Sequence, residues 1–256
     1  MARRRNTRAK VSAIRREEKE MIQWSHSKIA DYLQCPHKFY QKYVAKTTDR
    51  GETPAMRKGN HQHSLMELAI NASTPDELAT RKTKLETESL SRVIPIIEKL
   101  RALGAAAELE LGVTRDWKPC GFWDKEAWGR CKIDALAASP DGKGLIIDWK
   151  TGATKNIKYQ TDAELRLHAT IANAHFPELK VISAVYYYTQ GFQFHPAPPE
   201  KPYVIYEFAA ERHRVNELMS RIDYAVDNDL CKMRKNNLCP WCEVKKCPNC
   251  KPREPR

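Results

Sequence analysis

The 256-residue sequence has no run of eighteen apolar residues, and its first ten residues, Met1 to Lys10, form a basic string followed by neither an apolar stretch nor a cleavage site. A bilayer span needs about 20 apolar residues, and an export signal needs an apolar segment behind its charges. These absences argue against secretion and membrane insertion and for a cytoplasmic protein. No internal repeat is present, and low complexity is confined to HPAPPEKP, read as a surface loop. Without an export signal, the eight cysteines do not read as a disulfide framework. Five of them crowd into residues 231–250, where metal binding is the better explanation.

The apolar fraction of 41% suffices for one sizeable core. The net charge of +12 is uneven: residues 1–20 carry eight Lys/Arg against three acids, and residues 231–256 carry eight against two. The 28 basic and 27 acidic residues between them nearly cancel, so a polyanion would meet two basic ends flanking a neutral body. The expected organisation is a basic arm over 1–20, one catalytic domain over 21–230, and a basic cysteine-rich tail over 231–256.

Helical spacing dominates the first hundred residues. SHSKIADYLQCPHKFYQKYVAK predicts two short helices joined at Cys35-Pro36, followed by helices over Pro54–Asn71 and Thr74–Gly104, the latter broken near Pro95. The texture then changes to strands: ELELGVTRD, AWGRCKIDALAAS and GLIIDWKTG. A helix over Thr161–Phe176, strands at VISAVYYYTQG and KPYVIYEFAAE, and a closing helix over Glu211–Asp229 complete the order.

Asp148 and Lys150 are alternate residues of one strand and share a face. A hairpin folded about Asp141, in the turn Pro140-Asp141-Gly142, pairs residues whose numbers sum to 282, which sets Asp134 opposite Asp148. Two facing carboxylates beside the apolar run Leu145-Ile146-Ile147 repel unless a cation intervenes. Oxygen ligands of this kind suit Mg²⁺ or Mn²⁺, and the neighbouring Lys150 ammonium can orient a nucleophile or stabilise transition-state charge. An acid-x-Lys triplet alone is also common on ordinary surface hairpins.

These residues carry a resemblance. GRCKIDALAASPDGKGLIIDWKTG resembles the G-x-x-D and D-x-K-T-G elements of the RecB-like branch of the PD-(D/E)xK nucleases, which includes phage-encoded and CRISPR-associated members. SHSKIADYLQCPHKFYQKYV, GNHQHSLME, LRLHATIANAHFPELK, YYYTQG and LCPWCEVKKC extend it over roughly residues 25–250. The resemblance implies an α/β fold: a mixed central sheet flanked by helices, with a helical N-terminal part and a cysteine-rich metal-binding tail. It implies metal-ligand roles for His63, Asp134 and Asp148, a carbonyl ligand at Trp149, and a catalytic role for Lys150. Glu67, one helical turn from His63, is a neighbour of that site, and His61 is the competing histidine. The sequence departs from the branch at Glu164, where Gln is usual, and at His168, where Tyr is usual; Gln160 lies one turn earlier and could substitute. Glu164 could instead add negative charge to the catalytic site.

Cys239-x-x-Cys242-x4-Cys247-x-x-Cys250 reads locally as a four-cysteine zinc site. Through the resemblance, three of these join Cys35 around a four-iron four-sulfur cluster. The leading expectation is a Mg- or Mn-dependent deoxyribonuclease, an exonuclease or end-processing enzyme acting on single-stranded or duplex DNA ends in a bacterium or phage-infected cell, with a recombination or replication protein as a further partner. Two alternatives stand beside it: an inactive nuclease fold that binds DNA, and a zinc tail that recruits a protein.

Overall fold

A computed structural model of the chain describes residues 22–48, 51–152, 161–195, 208–244 and 247–249. The basic arm over 1–20, Gln160 and Cys250 lie outside the described residues, as does most of the strand expected within KPYVIYEFAAE.

The expected pair of short helices is α1 (His26–Gln34) and α2 (Pro36–Phe39), the latter running into a π turn over Tyr40–Val44. Helix α3 (Pro54–Ile70) opens on Thr53, whose hydroxyl accepts the Met56 N–H, and on Pro54, which has no N–H to leave unpaired. Helix α4 (Pro75–Thr87) is capped in the same way by Thr74. The break expected near Pro95 lies earlier: Leu90 follows Ser89 at a φ of 61°, a turn of 3-10 helix covers Ser91–Val93, and Pro95 sits in the first turn of α5 (Ile94–Ala102). Proline at that position starts the helix and does not interrupt it.

Strands β1 (Ala106–Val113), β2 (Pro119–Gly121), β3 (Gly129–Ala138), β4 (Lys143–Lys150), β5 (Val181–Tyr188) and β6 (Gln193–His195) form one sheet ordered β2-β1-β3-β4-β5-β6. All pairs are antiparallel except β4 with β5, which run parallel across the connection that contains helix α6 (Ala163–His175). The final helix, α7 (Phe208–Asp227), starts earlier than its apolar pattern predicts, so Phe208 to Glu211 are its first turn and not the end of a strand. An apolar run ending in Glu fits either periodicity, and the packing of α7 on α6 decides it.

Alternation along the strands gives the sheet two apolar faces. On one, Leu136, Ile146, Ala184 and Tyr186 pack with Leu165 of α6 and Val215 of α7. On the other, Ala135, Ile147, Trp149 and Tyr187 pack with Leu65 of α3, Leu85 of α4 and Leu100 of α5. Gly129 admits the segment before α1 to this frame: Trp24 N–H donates to Trp128 O at 2.9 Å and Arg130 N–H to Trp24 O at 3.0 Å, and a Cβ at Gly129 would stand 2.3 Å from the Trp24 ring. That contact brings Gln23 to Lys28 to the rim of the cleft described below. Among the described residues, no helix is long and apolar enough to cross a membrane.

Candidate active site

The β3–β4 ladder pairs Ala138 with Gly144, Ala137 with Leu145, Leu136 with Ile146 and Ala135 with Ile147, the register expected from the turn at Asp141. It ends one step before Asp134 and Asp148. There the Asp134 carboxylate replaces the missing ladder bond, its Oδ2 accepting the Trp149 N–H at 2.7 Å. The strands part at this point, and helices from both faces of the sheet reach the gap.

From α3, His63 places Nδ1 3.3 Å from Asp134 Oδ1. Burial works against its imidazolium, but Asp134, with Asp148 and Glu108 behind it, raises its pKa above the ordinary value. Gly59 lets α3 lie this close: a Cβ there would stand 3.0 Å from Thr151 Oγ1 at the end of β4. His61 points elsewhere, its Nε2 3.6 Å from Glu88. Glu67 lines a neighbouring hollow with Glu108 and Lys132.

From the other face, α6 brings Glu164 and His168. Lys150 Nζ stands 2.8 Å from both Asp148 Oδ2 and Glu164 Oε2, and 4.8 Å over the Tyr186 ring. Burial opposes its charge, yet the two carboxylates hold its pKa well above the usual lysine value, so the amine keeps its proton. The two acids share this ammonium unequally. Burial first, then repulsion from Glu164 and Asp134, raises Asp148 against the pull of Lys150. Burial also opposes Glu164, but His26 at 3.5 Å and Lys150 outweigh it and lower its pKa. Burial pulls His168 down to about 4, leaving a neutral ring whose Nδ1 is 4.0 Å from Asp148 Oδ1.

Sequence reasoning missed Glu108. The β1–β3 register pairs Ala107 with Ala135 and Leu109 with Ile133, which sets Glu108 across from Asp134. Glu108 takes a φ of 55°, rare for a residue with a side chain and rarer within a strand. Its carboxylate pairs with Lys132, and burial followed by repulsion from Asp134 raises its pKa. Ligand atoms of His63, Glu108 and Asp134 all lie within 4.8 Å of one another. Of the four ligands implied by the resemblance, His63 and Asp134 belong to this group, while Asp148 pairs with Lys150. The Trp149 ring is buried with Leu65 of α3 and Tyr187, on the face of the sheet away from Lys150. The donors are one imidazole and hard carboxylate oxygens, which fit Mg²⁺ or Mn²⁺. Asp148 Oδ2 is buried and lacks a well-aligned hydrogen bond despite its contact with Lys150. His63, Asp134, Asp148, Lys150, Glu164 and His168 open onto one cleft of about 620 Å³, which Glu108 does not line.

A second cavity, of about 170 Å³, lies between the α1–α2 junction and the C-terminal segment and is lined by Cys35, Cys239, Cys242 and Cys247. The chain returns here from α7: His37 N–H donates to Lys232 O at 3.3 Å, and Arg234 Nη1 to Leu33 O at 2.6 Å. Backbone N–H groups aim at two of the sulfurs, Arg234 at Cys35 (3.4 Å) and Asn236 at Cys239 (3.3 Å). Cys131 is buried in β3, whereas Cys120 and Cys231 are half-buried away from this cavity.

A family model of the PD-(D/E)XK nuclease superfamily matches residues 23–248. Among solved structures, the chain is similar to one described as "Crystal structure of SSO0001", at 15% identity over 91% of this chain and 89% of that one, with a TM-score of 0.41. No curated protein matches it. The family match takes in both strands of the acidic hairpin and every element that reaches the cleft, and the chain belongs to the PD-(D/E)XK nuclease superfamily.

Proposed function

We propose that the protein is a divalent-metal-dependent deoxyribonuclease of the RecB-like branch, acting on DNA ends. The observation that carries this reading is the gap between β3 and β4, where Asp134 faces His63 and Glu108 on one side and Asp148 meets Lys150 on the other. His63, Glu108 and Asp134, with Asp148 beside them, would hold a Mg²⁺ or Mn²⁺ ion. Such an ion supplies Lewis acidity toward a phosphodiester and lowers the pKa of water.

The chain's own groups do the remaining work. Lys150, fixed as a cation, faces the charge that develops on the phosphate and orients the attacking water. Glu164 holds that ammonium in place from α6, and His26 and Tyr186 in turn hold Glu164, with Tyr186 Oη donating to Oε2 at 3.4 Å. His168, neutral beside Asp148, adds no positive charge to compete with a cation. The basic residues at both ends of the sequence supply phosphate attraction without reading bases.

In the second cavity, Cys35, Cys239, Cys242 and Cys247 would hold a four-iron four-sulfur cluster, zinc being the alternative. The fit rests on four cysteines from both ends of the chain lining one cavity and on N–H donors aimed at the sulfurs of Cys35 and Cys239, which stabilise thiolates. A bound cluster would fasten the tail to α1 and α2, a structural duty.

One observation favours a second reading, a weakened nuclease that mainly binds DNA: Glu164 competes with Asp148 for Lys150 at the same 2.8 Å. Digestion of end-labelled linear single-stranded and duplex DNA with Mn²⁺, compared with closed circles, decides between them. Loss of linear DNA with circles spared supports end-directed cleavage. Binding without cleavage of any form selects the second reading.

A further inference from the structure

At one end of the cleft, the turn after β2 presents two aromatic rings. Phe122 and Trp123 pack edge to face with centroids 4.9 Å apart, and the Arg130 guanidinium lies 5.1 Å over the first ring and 5.3 Å over the second. The turn is braced: Gly121 N–H donates to Asp124 Oδ2 at 2.6 Å, Asp124 N–H to Gly121 O at 3.1 Å, and Ala127 N–H to Asp124 O at 3.1 Å. Trp123 Nε1 donates to Glu110 Oε2 at 3.2 Å, which fixes the indole's orientation while 74% of the residue stays exposed. A rigidly mounted indole facing water contributes little to folding, since its apolar area stays hydrated.

Phe122 and Arg130 line the same cleft as Asp134, Asp148 and Lys150. Arg130, Lys132 and Asp134 are alternate residues of β3 and share a face, so the guanidinium stands about 13 Å along the strand from the acidic gap. Arg130 Nε is buried and has no hydrogen-bond partner. The two ring centroids, 4.9 Å apart, lie on the same side of the guanidinium, which leaves its terminal N–H groups, the geometry that meets phosphate oxygens.

We infer that Phe122, Trp123 and Arg130 form a binding site for an unpaired nucleotide of a DNA strand leading into the cleft, the base stacking on Trp123 and its phosphate meeting Arg130. The inference rests on the nuclease reading and narrows its substrate to single-stranded DNA or a duplex with an unpaired end. A base inside a duplex has both faces covered by its neighbours, whereas an unpaired base offers a face to an exposed ring.

The test is fluorescence anisotropy of a labelled oligothymidylate with the full chain in EDTA, so that nothing is cut, for wild type, Trp123→Ala and Trp123→Phe. Stacking on one aromatic ring changes binding by roughly 5- to 150-fold. The expected result is about tenfold weaker binding for Trp123→Ala and recovery of most of that loss by Trp123→Phe. A single abasic position moved along the oligonucleotide should weaken wild-type binding at one location and leave Trp123→Ala indifferent. Arg130→Ala should flatten the dependence of log affinity on log salt by about one phosphate contact. Wild-type affinity in Trp123→Ala, equal abasic penalties in both proteins, or no binding by wild type would overturn the inference. Mn²⁺ digestion by wild type, run in parallel, separates the two readings. Cleavage with no Trp123 effect removes only this site, and Trp123-dependent binding without cleavage removes only the nuclease assignment.

Discussion

Asp134 Oδ2 accepts the Trp149 N–H at 2.7 Å where β3 and β4 stop pairing. One carboxylate oxygen thus completes the sheet while the other stands 3.3 Å from His63. Asp134→Asn keeps an oxygen for Trp149 but loses the charge, whereas Asp134→Ala also strands a buried N–H at a cost of about 1–3 kcal/mol. Both variants should lose cleavage by a hundredfold or more on the order expected for a charge-stabilising group. Only the alanine variant should melt markedly lower, as thermal denaturation would read. Equal melting of the two would deny the bond its structural share.

Glu164→Gln should remain active, at a rate equal to or above wild type in single-turnover cleavage, because it leaves Asp148 alone to share Lys150 and keeps a group able to accept from the ammonium. Glu164→Ala should cleave more slowly, since His26, Lys150 and Tyr186 all lose their common partner. A dead Gln variant would make the charge of Glu164 itself indispensable.

The hairpin register is legible in the sequence, because a two-residue period and a Pro-Asp-Gly turn fix which residues pair; the arithmetic holds as far as Ala135 and Ile147, and beyond it the ladder stops and Asp134 turns to the Trp149 N–H. Glu108 is not legible in this way. It alternates with Glu110 in ELEL, and only the φ of 55° and the approach of α3 turn Glu108 toward His63. Strands β2 and β6, three residues each, were missed because their pairing comes from the neighbouring strand and not from their own pattern. The choice of His63 over His61 needs the helix placed on the sheet, and the approach of Cys35 to Cys239 spans about two hundred residues, beyond any local rule.

Asp31, buried on α1, accepts from Lys38 Nζ at 2.5 Å, Lys42 Nζ at 3.0 Å and Tyr43 Oη at 2.8 Å, and Lys42 also reaches Glu243 in the tail at 3.3 Å. Burial opposes its charge, but these donors bring its pKa below the ordinary aspartate value. A depressed carboxyl contributes stability that is fully present above pH 3.8 and lost as the pH falls through the folded-state value. Asp31→Asn should therefore cost about 2 kcal/mol near neutral pH and progressively less in acid. Urea titrations of both proteins at several pH values measure this; a pH-independent difference would contradict it.

Purified without oxygen, the protein should be brown and contain iron and sulfide, and Cys35→Ser should lower iron content and melting temperature together. Joining Cys35 to the tail closes a loop of about two hundred residues, and cross-links of that length contribute several kcal/mol on the chain-entropy account, about 5 at most. A colourless protein with one zinc, indifferent to Cys35→Ser, would place the metal on the tail cysteines alone.

The most direct test is Mn²⁺-dependent cleavage of end-labelled linear DNA by wild type, Asp148→Ala and Lys150→Ala, with folding checked by circular dichroism. Asp148 is buried among like charges and Lys150 is held between two acids, so each serves the gap between β3 and β4 more than the core. The account predicts cleavage by wild type and none by either variant, with Asp148→Ala folded and no less stable, since its removal relieves buried repulsion. Cleavage by either variant at the wild-type rate would contradict the account.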